Sequence, residues 1–373
     1  MIAKPERRPA RPQFSSGPCA KPPGWSPDNL DIRVLGRSHR GALGKDRLAL
    51  CIALMREMLE LPDSHRIGIV PGSDTGAFEM AMWTMLGARP VTTLAWESFG
   101  EGWVTDAVKQ LKLDPTVVRA DYGELPDLEQ VDWSNDVLFT WNGTTSGVRV
   151  PDGEWIAADR EGLSFADATS AVFAYPLPWD KIDVATFSWQ KALGGEGAHG
   201  VLILGPRAVE RLERFTPDRP LPKLFRLTSG GKLNEGIFRG ETINTPSMLA
   251  VEDAVFALEW ARSVGGLAGM IARTAANAAA LDRLVEERDW LGHLARDPAT
   301  RSKTSVCLTV AADPDRIKRM VKLLDGEGAA YDIASYRDAP PGLRIWCGAT
   351  VDAADVEALG SWLDWAFELT KSS

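Results

Sequence analysis

Short apolar runs, each ending in a glycine- or serine-bearing connection and followed by helical periodicity, dominate the first half of this chain. Ile67-Gly68-Ile69-Val70 runs into Pro71-Gly72-Ser73-Asp74-Thr75-Gly76 and then a helix from Ala77 to Leu86. Val91 to Ala95 leads through Glu97-Ser98-Phe99-Gly100 into a helix from about Gly102 to Lys112. Val117-Val118, Val137 to Thr140, Leu163 to Asp167, Val184 to Ser188 and Val201 to Leu204 read as further strands. Alternating strands and helices predict an α/β fold with a largely parallel sheet covered on both faces. Ligands bind such sheets at the carboxyl ends of the strands, where Ser73, Thr144, Asp167 and Lys191 all fall.

The pattern changes after Pro206. A loop-rich basic stretch from Arg219 to Lys232 precedes Glu241-Thr242-Ile243-Asn244-Thr245-Pro246. Helices are expected from about Ser247 to Arg262 and from Leu267 to Glu287. The tail alternates again, with strands at Val306 to Val310 and Leu343 to Cys347 and helices at Pro314 to Leu324 and Ala353 to Leu369. The chain therefore divides into an N-terminal arm (1–15), a large domain (16–250) and a small α+β domain (251–373). Its 373 residues suit that two-domain division.

Composition narrows the function classes. A formal net charge of −9 argues against nucleic-acid binding through bulk electrostatics. No apolar run approaches the roughly 20 residues that span a bilayer. The arm carries Lys4, Arg7, Arg8 and Arg11 among prolines and lacks a signal peptide's apolar stretch, so its charges are expected to be solvated. Cys19, Cys51, Cys307 and Cys347 form no Cys-x-x-Cys pair, and there are only four histidines. Reduced thiols in a cytoplasmic protein are expected, with neither a disulfide framework nor a metal site.

Phe187-Ser188-Trp189-Gln190-Lys191-Ala192-Leu193-Gly194-Gly195 places one lysine on a short connection after an apolar run. Upstream, Asp167 closes another strand-like run. A lysine and an aspartate so placed suit a pyridoxal phosphate (PLP) enzyme: the amine forms a Schiff base with the aldehyde, and the carboxylate keeps the pyridine nitrogen protonated. Taken singly, Lys191 reads as a solvated loop lysine and Asp167 as a helix cap. Gly72-Ser73-Asp74-Thr75-Gly76, between strand and helix, can turn tightly and offer N–H groups to a phosphate, or be a plain turn. Trp103 can stack on a flat ring, although most of the 14 tryptophans are expected to serve packing. The hydroxyls of Asn142-Gly143-Thr144-Thr145-Ser146-Gly147 can reach a cofactor or satisfy their own turn. Ser38-His39-Arg40 and the pair Arg337 and Arg344 suit an anionic substrate, because guanidinium groups bind carboxylate and phosphate in bidentate fashion.

Phe14-Ser15-Ser16-Gly17-Pro18, Ser38-His39-Arg40, Gly76-Ala77-Phe78-Glu79, Ser188-Trp189-Gln190-Lys191 and Asn244-Thr245-Pro246 together resemble the phosphoserine aminotransferase family, within the class V aminotransferases of PLP fold type I. Trp141-Asn142-Gly143-Thr144-Thr145-Ser146-Gly147 departs from the Asn-Glu-Thr pattern of the family's better-known branch, which leaves Thr144 and Thr145 as alternatives. The resemblance implies a large domain with a mainly parallel seven-stranded sheet and a small α+β C-terminal domain. It implies that Lys191 binds PLP and shuttles a proton, that Asp167 pairs with the pyridine nitrogen and that Trp103 stacks on the ring. Thr144 would lie beside the ring; Ser73, Asp74 and Gln190 would hold the phosphate. Asn244 and Thr245 would reach it from the second subunit of a homodimer with shared active sites. Arg344 would hold the substrate α-carboxylate; His39, Arg40 and Arg337 would receive the substrate phosphate or the side-chain carboxylate of glutamate. The implied reaction passes the amino group of L-glutamate to 3-phosphohydroxypyruvate in serine biosynthesis, with the phosphohydroxythreonine step of PLP synthesis as a possible addition.

The competing readings are a serine– or alanine–glyoxylate aminotransferase, which needs no cationic phosphate pocket, and a cysteine desulfurase, which needs a mobile nucleophilic cysteine. A non-catalytic PLP-binding sensor is the alternative from outside enzymology.

Overall fold

The apolar runs of the first half assemble into one seven-stranded sheet in the computed structural model, which describes residues 3–372. Met1, Ile2 and Ser373 lie outside the described residues. The strands are β1 (Arg66–Pro71), β2 (Val91–Ala95), β3 (Thr116–Arg119), β4 (Asp136–Thr140), β5 (Ser164–Asp167), β6 (Val184–Phe187) and β7 (His199–Leu204). Their spatial order is β1-β7-β6-β5-β4-β2-β3. From β3 to β6 the pairing is parallel, and β7 runs antiparallel to both of its neighbours.

Burial on both faces explains why these strands read as continuous apolar runs. Successive side chains point to opposite faces, and the core divides accordingly. Val70, Leu138, Phe165 and Leu202 face one layer with α2 (Ser73–Met85). Ile69, Phe139, Ala166 and Val201 face the other. That second layer contains α1 (Ala42–Met58) and α5 (Met248–Ser263), which pack against each other. Two further helices complete the large domain, α3 (Ser98–Thr105) and α4 (Pro206–Arg214).

The tail forms the expected α+β unit. Its sheet contains β8 (Leu291–His293), β9 (Ser305–Val310) and β10 (Leu343–Trp346), all antiparallel. It is covered by α6 (Gly266–Glu286), α7 (Pro314–Gly326) and α8 (Ala353–Leu369). Position 250 falls in the first turn of α5, and the chain turns between α5 and α6 at Gly265-Gly266, whose φ values are +105° and +68°.

Two details differ from the sequence reading. The third helix begins at Ser98 rather than Gly102, because the Glu97 carboxylate accepts from the Gly100 N–H at 2.8 Å and caps its first turn; beyond Thr105 it widens into a π-type turn through Gln110. The basic arm is not simply solvated. Arg11 donates to the carbonyls of Lys21 and Thr350, and the Arg8 guanidinium sits 5.3 Å from the Trp362 ring centre. Phe14 is fully buried, its carbonyl accepts from the Trp346 N–H, and Gln13 bridges Tyr331, so the arm adds to the small domain.

Candidate active site

Parallel strands deliver their carboxyl ends to one edge of the sheet, and a cleft with a cavity volume of about 80 Å³ opens there. Ser73, Asp74, Trp103, Thr144, Asp167, Gln190 and Lys191, all expected from the sequence, line it together with Glu97, Thr140 and Asn142. Asp167 is the last residue of β5, and Lys191 lies in the turn after β6.

Lys191 is buried, and its amine donates to the Ser16 carbonyl. Burial pushes its pKa down, and the Arg344 charge adds to that, which favours the neutral, nucleophilic amine. The arm passes so close that a Cβ on Gly17 would stand 2.6 Å from Lys191 Nζ, at a φ of +147°. Only glycine fits there without displacing the lysine.

Asp167 accepts from Trp103 Nε1 at 3.1 Å and from the Thr169 N–H at 3.2 Å. Trp103 packs its ring against Phe78, with centroids 4.5 Å apart, so one side chain both lines the cleft and orients the carboxylate. At the start of α2 the chain takes left-handed conformations at Gly72 (φ +87°) and Ser73 (φ +54°). No side chain caps this helix, and the first-turn N–H groups of Asp74 and Thr75 lack intrahelical acceptors, which suits an anion. The Asp74 side chain takes a different direction from its backbone: its carboxyl faces Asp167. A carboxyl repels phosphate, so only the backbone of Asp74 suits the role expected of it.

The polar turn separates its two threonines. Thr144 lines the cleft and donates to Ser170 Oγ at 2.9 Å, whereas Thr145 donates to the Glu97 carboxylate at 2.7 Å. The small domain reaches the same turn through Ser305, whose hydroxyl donates to the Thr144 carbonyl at 2.7 Å. Arg344 on β10 is close enough to influence Lys191, and its Nε is buried without a partner.

Glu97 went unnoticed in the sequence. Burial raises its pKa to about 7 against three donated hydrogen bonds, from Gly100 N–H, Thr145 N–H and Thr145 Oγ1. Its only sequence signal was its position three residues before Gly100, as a helix cap. Because the folded group holds its proton where the unfolded group has lost it, stability is expected to fall as pH rises through about 5 to 7. Glu97 alone should contribute a change of about 3 kcal/mol. Urea unfolding at several pH values should show this slope, and Glu97→Gln should flatten it; an unchanged slope in the variant contradicts the assignment.

Other expected residues do not line this cleft within the single chain. His39 and Arg40 line a separate cleft of about 210 Å³ with Lys45, Gly240, Glu241 and Thr242. Asn244 and Thr245 are exposed just beyond it. Arg337 projects into solvent, pairs with Asp338 at 3.4 Å and borders a groove against α7.

The cleft fits PLP by its own chemistry. Thr140 Oγ1 and Asn142 Oδ1 are buried there without hydrogen-bond partners, beside a buried amine and a carboxylate held by Trp103. The cysteines do not support desulfurase chemistry: burial raises the Cys19 and Cys307 thiols to about 12, where they are inert.

The fold is that of the PLP-dependent aminotransferases of fold type I. No protein-family model matches the chain. A phosphoserine aminotransferase of Methanosarcina barkeri is 59% identical over 369 residues, covering 99% of this chain and 100% of that protein. A putative phosphoserine aminotransferase of Mycobacterium avium is 28% identical over 90% of this chain and 88% of its own length. The solved structure of a phosphoserine aminotransferase from Cytophaga hutchinsonii shares the fold at a TM-score of 0.84, with 21% identity over 94% of this chain and 98% of its own. An alanine–glyoxylate aminotransferase from Nostoc superposes with a TM-score of 0.80 at 17% identity, covering 98% and 97%, so the fold alone does not separate these activities. The chain belongs to the phosphoserine aminotransferase family.

Proposed function

We propose that this chain transfers the amino group of L-glutamate to 3-phosphohydroxypyruvate, releasing 2-oxoglutarate and O-phospho-L-serine in turn, as a cytoplasmic homodimer with shared active sites. The observation that carries the proposal is that Lys191 and Asp167 line one cleft, with Arg344 close enough to influence Lys191, in a chain 59% identical to a full-length phosphoserine aminotransferase.

Bound PLP supplies an aldehyde for the substrate amine and a ring that accepts the electron pair left at Cα. Every other task falls to side chains. Lys191, whose neutral form burial favours, takes the proton from Cα and returns it. Asp167 holds a proton on the pyridine nitrogen, with its own direction fixed by Trp103. Trp103 would stack on the ring and Thr144 would lie beside it, and Ser73, Gln190 and the first-turn N–H groups of α2 would hold the phosphate, since all of these line the cleft. The unpartnered Nε of Arg344 is available to the substrate α-carboxylate.

The surface cleft explains the need for a second chain. His39, Arg40, Asn244 and Thr245 act in this reading on the active site of the partner subunit, and Arg337 approaches the substrate anion from its loop. Exposed apolar side chains on the same side support pairing: Ile32 is 62% exposed and Leu249 is 48% exposed, and the turn holding Ile32 packs on α5.

The test is Arg40→Glu. Its kcat/KM with 3-phosphohydroxypyruvate should fall about hundredfold, while with pyruvate it should change by less than about threefold. Equal losses for both acceptors would remove Arg40 from phosphate recognition.

A further inference from the structure

Asp74 holds a second carboxyl beneath the active site, and none of the roles assigned so far uses its side chain. It sits in the first turn of α2, 8% exposed, with Oδ1 buried and unpartnered. Its carboxyl meets that of Asp167, which arrives on β5, and it faces the Thr186 hydroxyl on β6. Asp167 already accepts from Trp103 Nε1 and the Thr169 N–H, whereas no N–H donates to the Asp74 carboxyl among the described residues.

Two buried carboxylates in contact cannot both carry charge without more compensation than this site contains. The charged groups facing Asp74 are Asp167 and Lys191. Lys191 is itself driven towards its neutral form by burial. His39 is remote in its separate cleft, and His199 on β7 is held neutral, at about 4, by burial. One proton must therefore be shared between the carboxyls. The better-solvated partner in terms of donated hydrogen bonds is Asp167, so the proton resides on Asp74; the directions agree, with Asp74 raised well above the ordinary carboxyl range and Asp167 raised less.

We propose that Asp74 is a positioning residue for Asp167: its protonated carboxyl donates a hydrogen bond to Asp167, so that the pair offers the cofactor ring a single, fixed negative charge. The role rests on the reading of Asp167 as the partner of the pyridine nitrogen, and extends it. With only Trp103 and Thr169 as donors, the Asp167 carboxylate would be more basic and would draw the shared proton away from the ring nitrogen. With Asp74 donating as well, Asp167 remains the weaker base and the ring keeps its proton. The proton moves along no new path; Asp74 holds it throughout the reaction.

The test uses the holoenzyme labelled with ¹³C-aspartate. Infrared spectra at neutral pH should contain the carbonyl stretch of a protonated, buried aspartic acid, shifted by the label and missing from Asp74→Asn. The asparagine amide still donates to Asp167, so this variant should stay at least about threefold more active in kcat/KM than Asp74→Ala and preserve the pH dependence of the cofactor's visible absorbance. Asp74→Ala, which lacks a donor, should lose about tenfold or more and shift that absorbance titration. Should Asp74→Asn fail to fold, the labelled wild-type spectrum followed across pH still decides. Absence of the protonated band, its survival in Asp74→Asn, or equal behaviour of the asparagine and alanine variants overturns the proposal. The infrared band does not depend on which keto acid is the acceptor, so failure here is distinct from failure of the substrate reading.

Discussion

Lys191→Ala is expected to lower turnover in both half-reactions by roughly ten-thousandfold or more and to remove the visible absorbance that depends on the cofactor's bond to this amine. The size follows from two losses at one position. In the proposed reaction the amine would be the covalent anchor and also the base that moves the proton at Cα. Its surroundings supply no substitute: the Arg344 guanidinium offers donors and no acceptor, and Asp167 is engaged by Trp103 and Thr169. Stopped-flow spectra with glutamate alone and with the keto acid alone separate the two halves. The fold should survive, because the anchor's hydrogen bond ends on a single backbone carbonyl, that of Ser16. Near-normal turnover in this variant would move the catalytic amine elsewhere.

Asp167→Ala should have the next largest effect, a loss in kcat of roughly a thousandfold, the scale of removing one partner of a buried charge pair. It also strands Trp103 Nε1, which donates to no other acceptor among the described residues, so the ring that should stack on the cofactor loses its fixed direction. The expected signature is therefore twofold: weaker cofactor retention on dialysis and a collapsed proton-transfer rate. Trp103→Phe keeps the aromatic surface and removes only the N–H, and should cost much less. If Asp167→Ala retained normal kcat, the carboxylate would have no electronic role.

The sheet and the catalytic pair were legible because their signals are local. Strands buried on both faces show as unbroken apolar runs, and Asp167 and Lys191 each close such a run. The long helices α5, α6 and α8 were visible through their periodicity to within a residue or two. Helix α1 was not, because Gly41 caps it without a side-chain hydrogen bond and Gly44 sits in its first turn. That glycine has a tertiary reason: a Cβ there would lie 2.5 Å from the Cα of His39. Side-chain direction was equally hidden. Nothing in Ser73-Asp74-Thr75 tells that the backbone faces an anion site while the carboxyl turns to Asp167. The choice between Thr144 and Thr145 depended on Glu97, whose place in the cleft is fixed only when β2 and β4 lie side by side. Asn244 and Thr245 came from a resemblance and His39 and Arg40 from their anion-binding chemistry, and the separation of all four from Lys191 in one chain is intelligible when the site is completed by a second.

The central claim is that a PLP aminotransferase cleft here serves a phosphorylated keto acid. The most direct measurement is a coupled assay with L-glutamate as donor and 3-phosphohydroxypyruvate, glyoxylate and pyruvate as separate acceptors. The kcat/KM for 3-phosphohydroxypyruvate should be at least about a hundredfold above either of the others, since only it carries the phosphate that Arg40 is proposed to receive. A preference for glyoxylate would contradict it.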